Sequence, residues 1–102
     1  MAISLKPGVS IAGVRPEMVL VIQIVASIYK KLGYLCVITS VTDGKHSRGS
    51  RHYVGLAADF RTRDMPKAIQ NALYSRVVEA LGTECDVVLE PTHLHVEYDP
   101  ER

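Results

Sequence analysis

Apolar residues recur at Val21, Ile24, Ile28 and Leu32, the three-to-four spacing that turns one stripe of an α-helix toward a core. Pro16 suits the first helical position, and Gly33 stands where a left-handed C-terminal cap is wanted. The period then changes. Residues 35–41 are rich in β-branched side chains and predict a strand, closed by the turn signal Asp43-Gly44. Residues 45–51 are basic, small and polar, which predicts a loop, and residues 56–61 predict a second strand. Pro66 opens a second helix with apolar positions Ile69, Leu73, Val77, Val78 and Leu81, and Gly82 closes it. Two short strands, residues 86–90 and 93–98, follow. Ahead of the first helix, Pro7, Gly8 and Gly13 interrupt short apolar pieces, so residues 1–14 read as an irregular arm on the surface.

The order helix, strand, strand, helix, strand, strand predicts an α+β fold: a small, largely antiparallel sheet with helices packed on one side. A chain of 102 residues with 47% hydrophobic content can fill one core, so a single monomeric domain over 1–102, without repeat or linker, is expected. The net charge of +1 is dispersed rather than gathered in a basic block, which argues against nucleic acid as a partner. The longest apolar stretch, residues 18–29, is broken by Gln23 and Ser27 and is shorter than the roughly 20 residues of a membrane-spanning helix. The N-terminus has no basic start, apolar core and small-residue cleavage site in succession, so synthesis and folding in the cytoplasm are expected. Cys36 and Cys85 lie far apart without Cys-x-x-Cys spacing and read as buried small apolar residues rather than a disulfide.

The last strand carries His93-Leu94-His95-Val96-Glu97. Strand alternation sets His93, His95 and Glu97 on one face and Leu94, Val96 and Tyr98 on the other. Two imidazoles and a carboxylate on one pleat fit either a metal ion that compensates their burial or a solvated polar face on an edge strand. A second segment, His52-Tyr53-Val54-Gly55-Leu56-Ala57-Ala58-Asp59, separates an imidazole and a carboxylate by a glycine able to turn tightly and by small residues that allow close packing. Together, His52, Asp59 and His95 make a three-ligand set for zinc with the fourth tetrahedral position left for water, the catalytic rather than the structural arrangement.

The run from Asp43 through His52 to Asp59, with its pattern Ser-x-His-x-x-Gly-x-Ala-x-Asp, followed after a helix by a strand bearing His-x-His, resembles the zinc D-alanyl-D-alanine carboxypeptidase and peptidoglycan-peptidase family. It is also similar to the signalling domain of hedgehog proteins, which shares that fold. The resemblance covers about two-thirds of the chain, residues 35–98. It implies a hedgehog-like and DD-peptidase-like α+β fold, zinc held by His52, Asp59 and His95, and peptidoglycan stem peptides as substrate. It further implies an acidic general base just before the final histidine motif, for which Glu90 is the candidate, with Asp86 and Glu97 in reserve. His93 matches the first histidine of His-x-His and is suited to donate a hydrogen bond to an oxyanion. His46 matches a histidine near the metal in hedgehog-like proteins, and with Arg48 and Ser50 it is a candidate substrate contact. Ser47 and Ser50 also suit a structural role, holding the ligand loop by backbone hydrogen bonds. Arg48, Arg51, Arg61 and Arg63 flank the motif, where arginine forks could orient substrate carboxylates or simply be solvated.

The leading expectation is therefore a zinc metallopeptidase of the cell wall, either a carboxypeptidase or an endopeptidase such as an L-alanyl-D-glutamate peptidase. Its size, with no wall-binding module, resembles bacteriophage lysis or virion-associated members, which would reach the wall after release or on the particle. The rival from another class is a non-catalytic zinc module that binds a partner, and a metal-free structural domain is a third reading.

Overall fold

The computed structural model describes residues 3–43 and 50–100. The elements in order are β1 (Ile3–Leu5), α1 (Pro16–Leu32), β2 (Cys36–Ser40), a 3-10 turn (Arg51–Val54), β3 (Ala57–Arg61), α2 (Lys67–Leu81), a second 3-10 turn (Gly82–Glu84), β4 (Cys85–Leu89) and β5 (His93–Tyr98). The five strands form one sheet in the order β1-β2-β3-β5-β4. α1 and α2 pack on each other and on the sheet, against the side chains of Cys36, Ile38, Ala58, Phe60, Leu94 and Val96. Strand alternation leaves the opposite face of β3 and β5 to Asp59, Arg61, His93, His95 and Glu97. The α+β architecture is as expected, and the strand boundaries differ from the sequence reading by no more than one residue at each end.

Some details differ. The N-terminal arm is not wholly irregular: Ile3, Ser4 and Leu5 pair in parallel with Cys36, Val37 and Ile38, so the sheet is mixed. Three residues are too few to display a period, and what makes them a strand is the open edge of β2. In α1 the buried stripe is Met18, Val21, Ile22, Val25, Ala26, Ile28 and Tyr29, whereas Ile24 is 39% exposed. This helix is apolar nearly all round, so residue spacing alone left its rotation open, and packing on Phe60 through Tyr29 selected it. In α2, Leu73 and Val77 are buried but Val78 turns outward, and the buried Gln70 takes a core-facing position. Its amide donates to the carbonyls of Thr62 (3.1 Å) and Met65 (3.0 Å), satisfying backbone groups of the loop that leaves β3.

Gly33 ends α1 in the left-handed conformation (φ 85°, ψ 23°), as its position predicted. Gly82 follows α2 but leads directly into the second 3-10 turn. Pro66 precedes the first residue of α2 rather than occupying it. Cys36 and Cys85 are both buried, and burial pushes the Cys36 thiol up to about 12. No helix among the described residues is long and apolar enough to cross a membrane.

Gly55 is where the arm meets the motif. Its φ is +74°, its carbonyl accepts the Arg15 N–H at 3.0 Å, and a Cβ there would collide with the Gly13 carbonyl oxygen. Gly55→Ala should therefore lower unfolding stability by about 1–3 kcal/mol or more, from left-handed backbone strain together with displacement of the arm. Urea unfolding measures this, and an unchanged midpoint would show that the arm yields freely.

Candidate metal centre

Three elements deliver the donors. His52 sits on the Arg51–Val54 turn, which is fixed at its start by Ser50: the serine hydroxyl oxygen accepts the His52 N–H at 3.2 Å. At the end of that turn, Gly55 reverses the chain so that β3 can begin. Asp59 lies on β3, and His95 stands directly across from it on β5 in an antiparallel register that also pairs Arg61 with His93. Phe60 and Leu94, one residue along on each strand, point into the core, so burying the apolar face forces the polar residues onto the other one.

The donor atoms converge. His52, Asp59 and His95 each offer one ligand atom, all within 4.8 Å of one another, and together they could hold a metal ion. Asp59 Oδ1 is 3.3 Å from His52 Nε2 and 2.9 Å from His95 Nδ1. Tetrahedral coordination with bonds of about 2.0–2.1 Å separates neighbouring ligand atoms by about 3.3 Å, which the Asp59–His52 pair matches and the Asp59–His95 pair approaches from below. His52 is 2% exposed at its side chain, Asp59 11% and His95 19%, which leaves the cluster shielded but open on one side.

The surrounding bonds prepare the donors. His52 Nδ1 lies 2.6 Å from the Val41 carbonyl oxygen, so in the neutral ring this nitrogen donates and the lone pair is on Nε2, toward Asp59. Val41 is held in turn, because its N–H donates to the Asp43 carboxylate at 2.9 Å. His95 Nε2 is 2.8 Å from Glu97 Oε1, the carboxylate–histidine arrangement that orients a ligating imidazole. With Nδ1 on the Val41 carbonyl, a neutral His52 ring turns its Nε2 lone pair toward Asp59, a repulsion relieved either by a proton shared with the carboxylate or by a cation in its place. The donor set, two imidazoles and one carboxylate, fits zinc.

Charge follows the same geometry. Burial alone would raise the Asp59 carboxyl, but the hydrogen bonds to His52 and His95 and the charge of the adjacent imidazoles outweigh it and hold the group well below the usual carboxylate range. The bond to Asp59 pushes His95 up from 6.5 to about 9, against burial and with help from Glu97. In the metal-free chain the His95 contribution to stability is complete below pH 6.5 and is lost as pH rises through about 9; the Asp59 contribution is lost only in strong acid. The chelator-treated protein should thus melt at a lower temperature at pH 9.5 than at pH 6, about the two ends of that window, and zinc affinity should strengthen over the same interval because the ion displaces the His95 proton. Melting curves and zinc titrations across this range test both; a flat profile would mean that His95 carries no extra proton.

The other expected residues fall as follows. His93 Nε2 is 3.8 Å from Asp59 Oδ1, beside the three donors, and its Nδ1 is 3.2 Å from the Thr92 hydroxyl. Glu90 follows the end of β4, where its N–H donates to the His93 carbonyl at 2.8 Å. Asp86 pairs with Glu97 and Val88 with His95, so these two share the site-facing row of β4, which ends at Leu89, just before Glu90. Among the described residues, no side-chain bond joins Glu90 or Asp86 to the cluster, whereas Glu97 is joined through His95. His46, Ser47 and Arg48 lie outside the described residues. Arg51 is engaged elsewhere, in an ion pair with Asp99 at 2.7 Å that ties the ligand turn to the chain after β5. The Val41 carbonyl had no sequence signal, since any residue supplies one.

Comparison with protein-family models and with curated proteins found no match.

Proposed function

We propose that this chain is a zinc-dependent peptidase that hydrolyses an amide bond in the stem peptides of bacterial peptidoglycan. The observation that carries the proposal is the convergence of His52, Asp59 and His95 on one open-sided point, with each imidazole held from behind by an oxygen. Zinc bound there would act as a Lewis acid on the scissile carbonyl and lower the pKa of the attacking water. The double motif's likeness to the zinc D-alanyl-D-alanine carboxypeptidase and peptidoglycan-peptidase family supports the substrate class.

The residues divide the work by position. Asp59 contributes the negative charge and His52, oriented by Val41, a neutral nitrogen donor. Glu97 is bound to the outer nitrogen of His95, which suits it to position that ring rather than to move a proton. Glu90, beyond the end of β4 and without such a bond among the described residues, is the general base: it takes the proton of the attacking water and delivers it to the leaving amine. His93, whose Nδ1 lies 3.2 Å from the Thr92 hydroxyl, serves in the tautomer that accepts there, with Nε2–H donated as a hydrogen bond to the developing oxyanion. Ser50 acts on the ligand turn through its bond to the His52 N–H.

Incubating the zinc-loaded chain with defined stem peptides and weighing the products tests the proposal. Loss of a terminal D-alanine would identify a carboxypeptidase and an internal cut an endopeptidase. Intact peptides in the presence of bound zinc would instead favour a partner-binding zinc module.

A further inference from the structure

A cavity of about 250 Å³ opens beside the metal centre and shares Asp59 and His93 with it. Its remaining wall includes three cationic side chains from separate parts of the chain: Lys6, just after β1, and Arg61 and Arg63, at and after the end of β3. Lys6 is brought there by the parallel pairing of β1, continued by its N–H bond to the Ile38 carbonyl at 2.9 Å. Among the described residues, none of the three takes part in an ion pair; the pairs formed involve Arg51, His52, His93 and His95. Three cations around one cavity repel one another unless an anion enters, and Asp59, the acidic side chain in this wall, is turned toward the imidazoles.

We propose that this cavity is a carboxylate-binding subsite in which Lys6, Arg61 and Arg63 grip a carboxylate of the peptide being cut. The proposal rests on the peptidase reading of the neighbouring centre. Arg61 lies two residues from Asp59 on the same face of β3, a separation of about 7 Å. An extended peptide advances about 3.3–3.6 Å per residue, so the carboxylate belongs within about two residues of the scissile bond. Arginine forks match a carboxylate in two parallel hydrogen bonds, and Thr39 and Thr92 complete a largely polar wall. The carboxylate has two possible sources, the C-terminus of a short substrate or an acidic residue within a longer one.

Binding is tested without hydrolysis. Glutarate is titrated into the zinc-loaded full chain and into the variant Lys6→Gln, Arg61→Gln, Arg63→Gln, with amide NMR shifts as the readout and glutaramide as the uncharged control. The variant should bind glutarate at least about tenfold more weakly, keep its zinc, and glutaramide should bind neither protein. Equal affinity in both proteins would put the anion on the metal and overturn the subsite, as would no glutarate binding to the wild type. If the triple variant does not fold, Arg61→Gln alone decides by the same titration, with a loss of about threefold or more expected. Two peptide pairs then distinguish the sources: one with its C-terminal carboxylate amidated, the other with its internal glutamate replaced by glutamine. A fall in kcat/KM on either change supports the subsite and names the carboxylate it holds; a fall on neither overturns it. If glutarate binds through the three cations while no peptide is cut, the subsite stands and the peptidase proposal fails.

Discussion

Zinc should bind at about one ion per chain, and His52→Ala, Asp59→Ala and His95→Ala should each reduce it to a small fraction of that, because each removes one of three converging donors. Metal analysis after gel filtration reads the stoichiometry directly. Binding confined to the folded chain stabilises it by mass action, about 4 kcal/mol at a thousandfold excess over Kd. For a domain of this size each kcal/mol is worth about 4–8 °C, so chelation should lower Tm by roughly 15–30 °C. His52 is buried and bonded to Val41, so His52→Ala also costs packing, and circular dichroism of each variant separates a lost ligand from a lost fold. Unchanged zinc content in all three folded variants would show that the ion sits elsewhere.

Glu90→Gln should keep zinc and fold while hydrolysis of a stem peptide falls by about 100-fold or more, since the glutamine cannot accept the proton of the attacking water. Glu97→Gln should behave differently. Its carboxylate accepts from His95 Nε2 at 2.8 Å, so its loss should weaken zinc affinity by about 10–100-fold, with activity recovering when zinc is supplied in excess. The two variants thus separate a group that moves a proton from one that aims a ligand, by whether added metal restores turnover. Full activity in Glu90→Gln would move the base to Glu97 or Asp86. The register favours Glu97 of these two, because Asp86 is paired across from it and stands one strand farther from Asp59.

Much of the donor set was readable from local rules. The His93–Tyr98 strand alternates strictly between Leu94 and Val96, which are buried, and His93, His95 and Glu97, which are not, because a strand with one face on a core has only one register that keeps its apolar side chains dry. The spacing of His52 and Asp59 around Gly55 was readable for a similar reason: a positive φ and a tight approach of backbone are tolerated by glycine, so its position marks the reversal between turn and strand.

Other features came from tertiary structure. The rotation of α1 was undetermined by an apolar pattern that ran round the helix, and contact with the sheet set Ile24 outward and Val25 inward. The N-terminal strand exists because β2 offered it an edge, and a three-residue segment carries no period of its own. That pairing also brings Lys6 beside Arg61 and Arg63, more than fifty positions away in the chain, so the basic cavity could not be read from any window of sequence. The bond from His52 to the Val41 carbonyl is of the same kind, since a backbone oxygen has no residue identity. Side-chain chemistry and period are properties of the sequence, and they determined which residues could bind a metal and which strand faces they occupy. Which backbone oxygen orients a ligand, and which distant charges share its cavity, depend on how the chain closes on itself, and the tertiary fold alone decided them.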